Sequence, residues 1–180
     1  MEIVKTPLEG LMIIKPEVFE DSRGYFFESF NHSKFLVIGL DQEFLQDNES
    51  KSKKGVLRGL HFQAPPFDQG KLVRVIQGSV LDVAVDIRKN SPTYGKWESI
   101  VLSGQNKWMY WVPSGFAHGF MTLEDDTVFF YKCTNIYNKS SEGSIIWCDA
   151  DLNIKWGTEN PLVSEKDQVA PRFRDFTSPF

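Results

Sequence analysis

The chain has 180 residues, 41% hydrophobic and 24% charged, the balance expected of one globular domain that can bury a sizeable core. A net charge of −4 argues against a general nucleic-acid-binding surface, though it leaves room for a local basic pocket taking a phosphorylated small molecule. Cys133 and Cys148 are too few for a disulfide framework, the N-terminus is broken by Glu2, Lys5, Pro7 and Glu9, and the longest uncharged run, Trp108 to Leu123, is too polar for a membrane span, so a cytoplasmic protein is expected.

Leu11 to Val18 reads as a strand broken at Pro16. Asp21-Ser22-Arg23-Gly24 is a turn, and Tyr25 to Asn31 forms a second strand in which Glu28 interrupts an aromatic run. Ser33 to Gly39 is a short helix, capped by Asn31 or Ser33 and stopped by Gly39. Glu43 to Ser50 is a third strand, followed by a basic turn to Gly55.

The stretch from Gly55 to Lys71, GVLRGLHFQAPPFDQGK, is a strand closed by a turn at Pro65, Pro66 and Gly70. Strand parity sets His61 and Arg58 on opposite faces. If both serve one pocket, Gly59 must carry a bulge or bend. Beyond it, Lys71 to Asp86 holds two apolar segments joined at Gln77-Gly78-Ser79, a hairpin signal. Asn90 to Gly95 is a loop. Strands follow at Trp97–Leu102, Lys107–Val112, His118–Leu123 and Thr127–Thr134, and a late one at Ser144–Trp147. From Asp149 onward the Pro- and Asp-rich text wraps the body. Short strands at this spacing, with few helices, make an all-β sandwich or barrel. No repeat or linker divides it, so residues 1–180 are read as a single domain.

Several side chains could carry chemistry, and each has an ordinary reading too. His61 is either a buried, hydrogen-bonded histidine or a base near neutral pH, oriented by Asp167 or Asp82. Lys71 either snorkels at a strand end or stabilises charge on a substrate oxygen. Arg58, between Leu57 and Gly59, calls for a phosphate or carboxylate partner. Tyr131 is a packed phenol or an acid. Asp167 alone is a turn or capping residue, and Arg23 and Glu28 alone are surface charges. His118 is a second imidazole. Gly59 and Gln63 stand where a metal site would need a histidine two residues from His61, so no metal is expected.

The motifs LRGLHFQ (Leu57–Gln63), QGKLVRV (Gln69–Val75), SPTYGKW (Ser91–Trp97), VPSGFAHGF (Val112–Phe120), YKCTNIY (Tyr131–Tyr137) and SEKD (Ser164–Asp167) resemble those of the dTDP-4-dehydrorhamnose 3,5-epimerase family. DSRGYFFESF (Asp21–Phe30) and QDNESKS (Gln46–Ser52) fit the same pattern, and the resemblance runs from Leu11 to Pro171. Glu49 and the stretch Ala64 to Asp68 depart from it. The resemblance implies a double-stranded β-helix (cupin jelly roll) with a few short peripheral helices. It implies a homodimer with no metal and no organic cofactor, acting on a nucleotide sugar, dTDP-4-keto-6-deoxyglucose.

It also implies roles. His61 is the general base, oriented by Asp167. Tyr131 is the acid on the opposite face, and Lys71 stabilises the enolate oxygen. Arg58, His118, Gln46 and Asn48 line the substrate site. Arg23, Phe26 and Glu28 reach into the partner subunit's site, and Tyr137 stacks near the sugar or base. The alternatives are a C3-only or C5-only epimerase of a related 4-keto sugar, a non-catalytic sugar-binding cupin, and a metal-dependent cupin isomerase or oxygenase.

Overall fold

Strands with apolar residues at alternate positions pair until each has a face to bury. The computed structural model describes residues 1–180. In chain order the strands are β1 (Glu2–Lys5), β2 (Met12–Lys15), β3 (Phe19–Asp21), β4 (Gly24–Phe26), β5 (Gln46–Ser52), β6 (Val56–Gln63) and β7 (Lys71–Gln77). They continue as β8 (Ser79–Asp86), β9 (Trp97–Ser103), β10 (Met109–Val112), β11 (Phe116–Thr122), β12 (Thr127–Cys133), β13 (Glu142–Ser144) and β14 (Leu162–Val163). Helices α1 (His32–Val37) and α2 (Glu165–Gln168) are short.

One sheet runs β1-β2-β10-β7-β12-β5 and the other β13-β6-β11-β8-β9, with β14 parallel to β6. From β5 to β8, and again from β9 to β13, the chain changes sheet at every turn. That alternation is the double-stranded β-helix of the cupin jelly roll. Val73, Val75, Tyr110 and Phe129 from one sheet meet Val80, Ala84, Leu102 and Phe120 from the other in the central core. Phe35 of α1 covers Ile14, Leu72, Met109 and Trp111 on the back of the first sheet. The C-terminal stretch covers the back of the second with Leu152, Trp156, Phe173, Phe176 and Phe180.

The expected strands are present, with differences. Gln77-Gly78-Ser79 is a corner between sheets and not a hairpin, since β7 pairs with β10 and β12 while β8 pairs with β9 and β11. A local turn signal reports a reversal but not which ladder the chain joins next. Only Tyr25 and Phe26 of the aromatic run are strand, in β4, folded back on β3 around the expected turn. The rest leaves the ladder, and Phe30 packs against Phe35 and Phe44 with ring centres 5.0 and 5.2 Å away. Asn31 is the helix cap, accepting from the Lys34 N–H, and Gly39 follows at a φ of +85°. β5 begins and ends later than expected, and β13 precedes the Ser144–Trp147 segment. β1 is too short and too charged at its ends to stand out before it pairs with β2.

Gly59 carries the bulge. His61 pairs with His118 and Arg58 with Phe120, so three steps along β6 span two along β11. The extra residue brings Arg58 and His61 to the same cavity. Gly59 has a φ of +141°, and a Cβ there would lie 2.5 Å from the Gly119 Cα. Gly157 also has positive φ, +82°, but open space around it. Gly59→Ala should therefore cost ~2 kcal/mol or more of stability. Gly157→Ala should cost ~1 kcal/mol, from backbone strain alone. Urea unfolding of both variants checks this, and equal losses would mean that the close approach is not the constraint.

Candidate active site

The cavity lies between the two sheets. Its larger lobe, about 410 Å³, is lined by Arg58, His61, Lys71, His118, Tyr131 and Asp167 among others. A second lobe of about 290 Å³ shares His61, Lys71 and Tyr131 and adds Gln46, Asn48, Tyr137 and Glu142. The three shared residues stand at the waist of one cleft. Sheet membership decides who faces whom. His61 on β6 and His118 on β11 come from one sheet, and Lys71 on β7 and Tyr131 on β12 from the other. An imidazole and a phenol thus approach the same space from opposite walls.

His61 Nε2 lies 2.5 Å from Asp167 Oδ1. Asp167 is 2% exposed and sits in α2, whose cap Ser164 accepts from its N–H. Burial pushes the Asp167 carboxyl up. The hydrogen bond and charge of His61, with bonds from Ser164 and the Gly59 backbone, outweigh it and hold the group below the ordinary value. An ionised carboxylate only accepts, so Nε2 of neutral His61 carries the proton and Nδ1 keeps a lone pair. Asp82, the other candidate for orienting His61, instead holds His118, with Nε2 to Oδ1 at 2.8 Å.

Burial pushes the Lys71 ammonium down, and nearby Cys133, Asp82 and Glu142 oppose that. Asp82 and Glu142 are already engaged by His118 and Lys166, and Lys71 forms no salt bridge. It is a cation left free for another oxygen. Burial pushes the Tyr131 phenol up, Cys133 adds to the rise and Arg58 opposes it. Tyr131 is thus a neutral O–H donor at neutral pH. The Arg58 side chain reaches Ser52 Oγ at 3.2 Å.

Gln46 Nε2 donates to Asn48 Oδ1 at 3.0 Å, and Asn48 Nδ2 donates to Cys133 Sγ at 3.5 Å. Tyr137 donates its hydroxyl to Glu142 Oε2 at 3.1 Å, and the second Glu142 oxygen pairs with Lys166. Sequence reasoning missed Glu142 and Lys166 as cleft residues. Glu142 sits in the polar stretch NKSSEGS, and only the pairing of β13 with β6, which sets Glu142 beside Gln63 and Ser144 beside His61, brings it in. Lys166 is one residue from Asp167 in the SEKD motif, which is the signal that could have flagged it.

Arg23, Phe26 and Glu28 are not brought to this cleft. Arg23 and Phe26 lie on the β3–β4 hairpin, which pairs only with itself, and Glu28 follows it. Arg23 pairs with Asp21 at 2.5 Å, and Glu28 with Lys34 and Asn31. Phe26 is 66% exposed, at the edge of a separate hollow of about 350 Å³ that also touches Phe19, Glu28 and Phe35. That hollow has no imidazole or phenol. No group of three His, Cys, Asp or Glu side chains is placed to hold a metal ion, and no helix is long and apolar enough to cross a membrane.

Comparison with known proteins agrees with the resemblance seen in the motifs. The family model described as dTDP-4-dehydrorhamnose 3,5-epimerase matches residues 5–175. The dTDP-4-dehydrorhamnose 3,5-epimerase of Shigella flexneri is 52% identical over 176 residues, 97% of each chain. The crystal structure of a dTDP-6-deoxy-D-glucose-3,5-epimerase from Legionella pneumophila, in complex with dTDP-4-keto-L-rhamnose, superposes with a TM-score of 0.94 at 46% identity. The match covers 98% of this chain and 94% of that one. A 3'-monoepimerase from Streptomyces bikiniensis, in complex with dTDP-quinovose, is similar at 33% identity and a TM-score of 0.88, covering 93% and 85%. The family model's match, the sequence identity and the shared fold over almost the full length establish that this chain belongs to the dTDP-4-dehydrorhamnose 3,5-epimerase family.

Proposed function

We propose that this protein epimerises dTDP-4-dehydro-6-deoxy-D-glucose at C3 and C5, giving dTDP-4-dehydro-L-rhamnose through enolate intermediates. The observation that carries the reading is the opposed pair, His61 held by Asp167 on one wall and protonated Tyr131 on the other, with unpaired Lys71 beside both. Inverting a carbon beside a ketone removes a proton from one face and returns one to the other. His61 takes the proton. The electron pair moves onto the ketone oxygen, where Lys71 stabilises the developing enolate. Tyr131 then gives its proton to the opposite face of the carbon. Each inversion leaves an imidazolium and a phenolate, which reset through solvent before the next. No oxidation state changes and Lys71 is assigned to the enolate oxygen, so this reading calls for neither a metal nor an organic cofactor.

Arg58, His118, Gln46 and Asn48 line the substrate site in this reading, and Tyr137 stacks near the sugar or base. The protein acts as a homodimer of single-domain chains, residues 1–180. Arg23, Phe26 and Glu28 reach from each copy to the nucleotide in the other's cleft. In support, Phe19, Tyr25 and Phe26 leave the β3–β4 hairpin with aromatic rings more than half exposed, at 57%, 55% and 66%. Two free thiols, Cys133 and Cys148, suit the cytoplasm.

Proton NMR with the 4-keto sugar nucleotide in deuterated water, without added metal, tests the reaction. Deuterium should enter at both C3 and C5, and a reductase should trap the rhamno-configured product. Exchange at C3 alone would identify a single-site epimerase, and no exchange with folded protein would overturn the assignment. His61→Asn should lower kcat by ~10²–10⁴ and abolish exchange. Tyr131→Phe should retain exchange while losing inversion, which product stereochemistry reads directly.

The His61–Asp167 pair also predicts a pH dependence of stability. The folded Asp167 carboxyl is held below its ordinary value of 3.8. A depressed carboxylate stabilises the fold above that value and loses the contribution as pH falls through its lower, folded one. The stability advantage of the wild type over Asp167→Asn should therefore shrink below pH 3.8, as followed by thermal unfolding at a series of pH values. A constant difference across that window would mean that the carboxylate is not held by this pair.

A further inference from the structure

Tyr137 belongs to no strand or helix. It lies between β12 and a single 3₁₀ turn at Lys139–Ser141, with its ring half exposed at the second lobe. Backbone ladders do not hold it there; side-chain amides do. Gln63 lies two residues beyond His61 on β6 and is 5% exposed. Its Nε2 donates to the Phe67 carbonyl at 2.6 Å and to the Ile136 carbonyl at 3.1 Å. Its Oε1 accepts from the Asn138 N–H at 2.7 Å. Ile136 and Asn138 are the two chain neighbours of Tyr137, so one amide grips the backbone on both sides of the ring. Gln46 Oε1 accepts from the N–H of Tyr137 itself at 2.7 Å. Gln69 Nε2 donates to the Asn135 carbonyl at 2.8 Å.

We infer that Gln63 is a positioning residue that fixes Tyr137 over the second lobe and so sets affinity for the nucleotide part of the substrate. This rests on the contact between Tyr137 and the ligand proposed above. The chemistry is particular to glutamine. The site needs two N–H donors and one acceptor at the end of a two-methylene stem. Glutamate offers only acceptors and would face two carbonyls. An apolar side chain would leave the Asn138 N–H and two carbonyls without their partner. Asparagine is one methylene short. Through Phe67 the same amide also ties down the loop that leads to Lys71, so it joins the segments that carry His61, Lys71 and Tyr137.

The test is calorimetric titration with dTDP of wild type, Gln63→Glu, Tyr137→Ala and the double variant, together with kcat and KM on the 4-keto sugar nucleotide. Gln63→Met, near in volume and uncharged, takes the place of Gln63→Glu if the carboxylate prevents folding. The Gln63 variant should weaken dTDP binding by ~10-fold and raise KM, with kcat nearly unchanged. Tyr137→Ala should weaken binding by a similar factor. The double variant should bind no more weakly than Tyr137→Ala alone, because the amide acts through the ring that has been removed. Additive losses would overturn the inference, as would a fall in kcat with dTDP affinity intact, which would mean that Gln63 acts on His61. Unchanged dTDP affinity in Tyr137→Ala would overturn the proposed contact of Tyr137 with the nucleotide, and the inference with it.

Discussion

Strands β6 and β11 come closer at Gly59 and Gly119 than any side chain would allow, and the cleft depends on that approach. A Cβ on Gly59 would lie 2.5 Å from the Gly119 Cα, and one on Gly119 would lie 2.8 Å from the Arg58 carbonyl. Two glycines across a ladder remove the steric floor that normally spaces paired strands. The bulge they permit turns β6 by one residue, so that Arg58 and His61 line one cavity despite opposite parity. His61, two residues beyond Gly59, is met there by Asp167 at 2.5 Å. One irregularity in one strand thus brings the imidazole and the guanidinium to the same cavity.

Around that strand the acids are spent on partners, whereas the basic side chains Arg58 and Lys71 have no acid partner. Asp167 is taken by His61, Asp82 by His118 and Glu142 by Lys166. With the cleft's acids engaged elsewhere, Lys71 has no salt-bridge partner and its amine is left for whatever enters. Burial pushes the Tyr131 phenol up, keeping it protonated and able to donate. In a low-dielectric cleft such fixed charges and dipoles act more strongly than in water and need little rearrangement when negative charge develops on a substrate oxygen. The two walls belong to different sheets, so the rigidity of the whole sandwich maintains the spacing of imidazole and phenol.

Amide side chains extend that control to a part of the cleft without regular structure. Residues 134–138 have few ladder bonds, and Gln46, Gln63 and Gln69 supply what the ladder does not. Loops carry function when a scaffold holds them, and here the scaffold's grip is made of side chains from β5, β6 and the turn before β7.

Much of this was legible in the residues themselves. Alternating apolar strands at short spacing state a β sandwich, because a sheet with one apolar face must cover it. His61, Lys71, Tyr131 and Asp167 could be singled out because their motifs are local and their chemistry is uncommon at those positions. The need for a bulge at Gly59 followed from parity, on the condition that Arg58 and His61 serve one pocket. Other features had no local signal. Gln77-Gly78-Ser79 looks like a hairpin because turn chemistry is set by neighbours, whereas the sheet that a strand joins is set by burial across the whole core. Asp82 and Asp167 were both open as partners of His61, since the choice depends on how α2 and β8 pack. Glu142 enters only through the pairing of β13 with β6, and Arg23, Phe26 and Glu28 match the family motif yet stay outside their own chain's cleft. The sequence by itself determined the strand pattern, a property of periodicity, and nominated the candidate reacting groups through their functional-group chemistry and the family motifs that carry them. Only the tertiary structure decided which acid meets which base and which cation stays free, because those contacts join residues far apart in the chain through packing that no local segment specifies.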